Sequence, residues 1–236
     1  MIAAVDFSHP LLWAVFIGWI MSVVLHEFAH GVVAYWGGDY TIKERGGLTL
    51  NPLQYIDPVM SLVLPMIIFL IGGIPLPGGV TYVRRDLLRS RGWEAAVSAA
   101  GPLMNVLIFL ALVLPFHPRI GWIDPPRAAD ASNALLFMGA MAWVQVLSVL
   151  FNLIPIPPLD GFGIISPFLK PSTRERFMTP PLSYGLFFGL FFLAGPLGLI
   201  DKFHDIIQGL LAFLGFSDRA IQFFGTSYNQ ALFGRP

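Results

Sequence analysis

The chain has 236 residues, of which 56% are hydrophobic and only 12% charged, so it is far more apolar than a soluble domain with roughly 25% charged residues and is expected to lie in a membrane. Its 14 basic and 14 acidic side chains cancel, and nothing in that balance points to nucleic acid or to an acidic partner. With no cysteine, disulfides, thiolate zinc sites and a cysteine nucleophile are excluded.

The first apolar run has neither a basic leader nor a small-residue cleavage site before it, and is expected to be a retained helix over residues 10–36, long enough to cross the hydrocarbon core. Residues 40–57 turn polar and β-prone around Arg45-Gly46-Gly47. They are expected to form a short β-hairpin at the membrane surface, with a plain connecting loop as the alternative. Residues 58–73 are apolar but short and interrupted by Pro65, and a Pro/Gly-rich run follows, the pattern of a re-entrant segment. After the basic stretch Arg84, Arg85, Arg89 and Arg91, a second span is expected over residues 93–115. It carries Ala99-Ala-Gly-Pro-Leu-Met-Asn105, in which small residues allow close helix approach and Asn105 is a lone amide among apolar neighbours. A third span, residues 132–154, runs into Pro155, Pro157 and Pro158, which break the helix just before Asp160-Gly161. Residues 182–200 are a further apolar segment. The run 206–216 is a sixth span, a continuation of the previous one, or an interfacial helix. The expected fold is an all-α polytopic membrane protein of about five or six transmembrane helices. It forms one domain over residues 1–236, with a catalytic core near 10–163 and C-terminal helices near 182–216.

Within the first span stands His26-Glu27-Phe28-Ala29-His30. One helical turn separates the two histidines, so both imidazoles can reach one metal ion while Glu27 addresses a water bound to it, which makes zinc hydrolysis the leading hypothesis. The alternative is two polar residues satisfied in a core. A catalytic zinc usually has three protein ligands and one open position. His9, His117 and His204 fall in loops or near segment ends, whereas Asp160 lies inside an apolar run, where a carboxylate costs ~2.5–3.5 kcal/mol at a helix centre. Asp160 is therefore the candidate third ligand, or else the cap of a helix beginning after Gly161. Asn105 is either glue between helices or a group facing the site.

The His-Glu-Phe-Ala-His helix, the Ala-Gly-Pro-Leu-Met-Asn helix and Asn152-Leu-Ile-Pro-Ile-Pro-Pro-Leu-Asp160-Gly161 resemble, in order, the three signatures of the site-2 protease family of intramembrane zinc metalloproteases. Asn51-Pro-Leu-Gln-Tyr-Ile-Asp-Pro58 is similar to a segment of its compact prokaryotic members, and the likeness spans residues 18–163. The resemblance implies one zinc ion held by His26, His30 and Asp160, Glu27 as catalytic base, and Asn105 facing the active site. It also implies regulated cleavage of peptide bonds in or near transmembrane segments. The substrates it suggests are single-span membrane proteins such as anti-sigma factors or signal-peptide remnants, and the setting a prokaryotic cell (inner) membrane. At this length neither a PDZ nor a regulatory nucleotide-binding domain is expected within the 236 residues. A membrane metal transporter would use several sites along a path and often repeat symmetry, neither of which is visible. A catalytically silent membrane binding protein retaining the fold is the other alternative.

If Asp160 meets the His-Glu-x-x-His helix, the first and third spans must run in the same direction. Of the two apolar segments between them, one should then make no crossing, and short, proline-broken 58–73 is the candidate. That path gathers Lys43, Arg45, Arg84, Arg85, Arg89, Arg91, Lys170, Arg174 and Arg176 on one side, leaving Arg119 and Arg127 opposite. The positive-inside rule then puts the metal toward the cytoplasm and the N-terminus outside. The hairpin over 40–50 is the expected edge on which an unwound substrate adds as a strand.

Overall fold

The computed structural model describes residues 8–58, 61, 66, 78–194 and 197–234. Helix α1, Pro10–Gly37, starts where His9 accepts the Leu11 N–H and proline occupies the first turn, and stops at Gly38, whose φ of 120° no L side chain adopts readily. After the four-residue α2, Thr41–Glu44, come α3, Arg91–Val113, and α4, Asn133–Asn152. The last two are each opened by a serine, Ser90 and Ser132, whose hydroxyl accepts a first-turn N–H. Short α5, Asp160–Ile165, and α6, Pro171–Met178, lead to α7, Pro180–Ala194, α8, Leu199–Phe213, and α9, Asp218–Phe233.

Side-chain pairings fix the directions. Going down α1 from Gly37 to His30 to His26, the neighbours on α3 are Trp93, Val97 and Asn105, so the two helices are antiparallel. Gly18 faces Phe137 and Met141 of α4, and Ser22 faces Gln145, so α1 and α4 run the same way, as the metal hypothesis requires. The Arg89 N–H donates to the Gly37 carbonyl at 2.9 Å, so the chain between α1 and α3 begins and ends at one level and makes no net crossing. The expected re-entrant path of 58–73 itself lies almost wholly outside the described residues. Basic residues collect at the same end, where Arg85 and Arg174 both pair with the buried Glu94 of α3.

Three described helices are long and apolar enough to cross a membrane, α1, α4 and α3 together with its 3-10 extension to Phe116. The fifteen-residue α7 and α8 are shorter than the ~20 residues a full span takes, so the described residues show three candidate spans, and the expected five or six are not confirmed. Residues 206–216 belong largely to α8, which buries Ile207 and Leu211 and exposes Asp201, Lys202 and Asp205, an amphipathic helix separated from α7 at Gly198 with φ 62°. Helix α9 packs on α4, where Phe223 and Phe224 join Phe116, Trp143 and Phe216 in an aromatic core.

The β-hairpin expected over 40–50 does not form: α2 and a turn occupy that stretch, and no strand occurs among the described residues. The reason is Asp39. Its fully buried carboxylate accepts from the Thr41 hydroxyl, the Arg45 guanidinium and the Arg84 N–H, winding the chain into a tight knot where β-propensity alone would extend it. The Gly47 carbonyl then lies flat on Gly31 of α1, where an added Cβ would come within 2.0 Å of it.

Candidate metal centre

Helical spacing sets His26 and His30 side by side on α1 with ring centroids 4.7 Å apart. Their Nδ1 atoms point away from each other. His30 donates to the Val97 carbonyl of α3 at 2.6 Å, and His26 to the Oδ1 of Asn105, four helical positions beyond Gly101. Both Nε2 atoms consequently face the opposite side, where Asp160 stands with Oδ2 3.1 Å from His26 and Oδ1 3.3 Å from His30. Asp160 is the first residue of α5, and no side chain caps that helix, so its carboxylate serves the histidines instead of the helix start.

This donor set fits zinc on three grounds. With the Nδ1 protons committed, three electron-pair donors meet edge to edge, an arrangement that repels unless a positive charge lies among them. Tetrahedral zinc with ligands at 2.0–2.1 Å has ligand–ligand edges of about 3.3 Å, matching the observed 3.1 and 3.3 Å. Gly101 supplies the room: a Cβ there would sit 2.4 Å from both Nε2 atoms, so its absence leaves a cradle beside them. The ligating atoms of His26, Glu27 and His30 also lie within 4.8 Å of one another, placing the Glu27 carboxylate at the edge of that cradle. Glu27 is buried, and Gly79 closes over it, with a Cβ at Gly79 falling 2.9 Å from Glu27 Cγ.

Gly79 belongs to an irregular stretch, residues 78–84, that runs along α1. The Thr81 hydroxyl donates to the Glu27 carbonyl at 3.0 Å, the Val80 N–H to the Tyr55 carbonyl at 3.0 Å, Arg45 to the Tyr82 carbonyl at 2.6 Å, and the Arg84 N–H to Asp39 at 2.8 Å. On the alternate positions, Thr81 and Val83 keep backbone N–H and C=O groups without a partner among the described residues. A cavity of about 130 Å³, lined by Arg85, Ser98, Pro158, Gly163 and Ser166, reaches Asp160 from the basic end, room for about four waters at ~30 Å³ each.

The structure thus brings His26, Glu27, His30 and Asp160 together. Asn105 is adjacent but turned to the back of His26, its amide shared with Gln145 and Ser22. Four contributors escaped the sequence reading: Gln145, Ser22, the Val97 carbonyl and Gly79. A lone glutamine in an apolar span is a signal that points to Gln145; a backbone carbonyl and a covering glycine leave none.

No family model matches the chain, and no solved structure matches it. Among curated proteins, it is 38% identical over 219 residues to Rip2 of Mycolicibacterium smegmatis, covering 91% of this chain and 81% of that protein. It is 35% identical over 217 residues to Rip2 of Mycobacterium tuberculosis, 89% of this chain and 79% of the relative. It is 34% identical over 183 residues to YwhC of Bacillus subtilis, 76% of this chain and 79% of the relative. All three are named as zinc metalloproteases. The order of the motifs, the donor set and these relatives agree, and the chain belongs to the site-2 protease family of zinc metalloproteases.

Proposed function

We propose that this protein cleaves peptide bonds within or beside transmembrane segments of membrane proteins, with His26, His30 and Asp160 holding one zinc ion and Glu27 as the general base. The observation that carries the reading is the convergence of both Nε2 atoms on the Asp160 carboxylate, beside a buried Glu27, in a helix apolar enough to cross a membrane. A zinc ion held by these residues would supply Lewis acidity toward the scissile carbonyl and toward the attacking water. Glu27 takes the proton of the attacking water and returns it to the departing amine. His26 and His30 retain their Nδ1 protons on Asn105 and Val97, so both rings stay oriented throughout. Asn105 is a positioning residue in this scheme, since its oxygen is committed to His26.

A transmembrane substrate hides its peptide groups in its own helix and must unwind to be cut. With residues 40–50 helical and turned, the stretch 78–84 is the edge that suits strand addition. Thr81 and Val83 offer backbone groups there beside Glu27. The substrates we infer are single-span proteins, such as anti-sigma factors or signal-peptide remnants, in a prokaryotic cell membrane. The clustering of Lys43, Arg45, Arg84, Arg85, Arg89 and Arg91 at the metal-proximal end of α1 and α3 supports a cytoplasm-facing site.

The test compares wild type with Glu27→Gln in liposomes containing a single-span substrate. Wild type is expected to cleave, and the variant to hold zinc without cleaving. A Glu27→Gln protein that still cuts would overturn the assignment.

A further inference from the structure

Asp160 differs from the two histidines in what holds it. His26 and His30 ride on a 28-residue helix and are braced from behind by Asn105 and the Val97 carbonyl. The Asp160 carboxylate pairs only with those histidines among the described residues, so its place is set by the main chain that carries it. That chain is weakly built. Helix α5 has six residues, follows a stretch broken by Pro155, Pro157 and Pro158, and is too short to be stable alone.

From Asp160 the chain returns along one face of α3, on which Gly101, Ser98 and Glu94 follow one another at helical spacing. Asp160 stands level with Gly101, since both lie against the same two Nε2 atoms. Next, Gly163 meets Ser98 so closely that an added Cβ would fall 2.3 Å from the Ser98 Oγ. Buried Phe162 touches Phe177 of α6 with ring centroids 6.0 Å apart, which joins α5 and α6 into one body. Last, Arg174 of α6 reaches the buried Glu94 with both arms of its guanidinium, Nη1 donating to Oε2 at 3.2 Å and Nη2 to Oε1. Arg85 donates to the same Oε1 at 3.0 Å.

The apolar contacts of this dock are non-directional, and a glycine at 163 offers no side chain to stop a slide. The ion pair is directional. A buried pair adds little net stability, because desolvation offsets its attraction, and its best-attested use is to choose one register among several. A slip of one turn, about 5.4 Å along α3, would part Arg174 from Glu94 and carry Asp160 beyond reach of both Nε2 atoms. Glu94 also stands in the first turn of α3, where any acid favours the helix dipole, but that role requires neither arginine.

We propose that Glu94, which does not touch the metal ligands, is a positioning residue for the metal centre: by gripping Arg174 it sets the height on α3 at which the segment carrying Asp160 docks. The inference rests on the reading of Asp160 as the third zinc ligand.

The experiment measures zinc affinity by chelator competition on the full chain in detergent micelles. Arg174→Met is expected to weaken zinc binding about tenfold, the lower end of what losing a ligand's outer support costs. Glu94 keeps Arg85 in that variant, so no carboxylate is left buried alone. Glu94→Met should match it, and joining the two should lose no more than either alone. Arg85→Met removes the other partner of Glu94 but no tie to the Asp160 segment, and should change zinc affinity by less than about twofold. Beside Asp160→Ala, where only the two histidines hold the ion, Arg174→Met should also stay within about twofold. Equal losses from the two arginines, a loss that persists beside Asp160→Ala, or no loss in the native background would overturn the proposal. Thermal melting of the metal-free proteins identifies a variant that fails to fold. Should Arg174→Met be one, Arg174→Lys takes its place, keeping the charge without the fork, with an expected loss of about threefold that vanishes beside Asp160→Ala. Asp160→Ala alone separates the layers. Wild-type zinc affinity there sinks the ligand reading, whereas loss of zinc there with none in Arg174→Met sinks only the role of Glu94.

Discussion

His30 and His26 are one turn apart on the same helix and face the same carboxylate, yet they are held by different means. Behind His30 is a backbone carbonyl of α3, whose position follows from the helix itself. Behind His26 is a chain of side chains, Asn105, Gln145 and Ser22, drawn from three helices. A main-chain support is insensitive to which residue occupies Val97. A side-chain support makes the metal site depend on distant positions, and on helix α4 packing correctly against both its neighbours.

The largest expected effect treats both histidines alike. Gly101→Ala puts a Cβ 2.4 Å from both Nε2 atoms, where the ion would sit, and is expected to abolish stoichiometric zinc binding with all three ligands intact, as measured by metal analysis after dialysis. Asn105→Leu strikes one side only. It should lower zinc affinity roughly 10- to 100-fold by chelator competition, and an unchanged value would remove the distinction between the two histidines. Gly79→Ala sharpens the separation of metal holding from chemistry, since its Cβ meets Glu27 Cγ at 2.9 Å and no ligand. Zinc affinity should stay level while cleavage slows by roughly 10- to 100-fold through misplacement of the base. Val97→Ala is the smallest: the carbonyl remains, so zinc affinity should hold within about twofold, while truncation of a buried side chain costs about 1–2 kcal/mol of stability in a thermal melt. A tenfold loss of zinc there would show that the main-chain support is not independent of its side chain.

The same contrast explains what could be read ahead of the structure. His26, Glu27 and His30 were legible because helical periodicity alone puts them on one turn, and Asp160 because a carboxylate in an apolar run demands a partner. The parallel course of α1 and α4 followed from requiring those two stretches to meet. The expected hairpin failed because β-propensity over 40–50 is a local preference, and the buried Asp39 outweighs it with partners at Thr41, Arg45 and the distant Arg84. Helix α9 has no counterpart among the expected segments, although Ser217 caps it and Ala220, Phe223, Phe224 and Ala231 are buried in it, because its polar residues mask the apolar periodicity.

By itself, then, the sequence determined the apolar spans, the family resemblance and the His26-Glu27-His30 turn, because hydropathy and motif spacing act within a span or along a single turn, and it left Asp160 as a candidate third ligand or a helix cap. Only the tertiary structure decided that Asn105 serves the back of His26, that Gly101 leaves room beside both Nε2 atoms, that Gly79 covers Glu27, and that Gln145 stands behind Asn105. Each of those depends on which helix faces which and at what height, a matter of packing between residues 40 to 123 positions apart, to which no local pattern in the chain is sensitive.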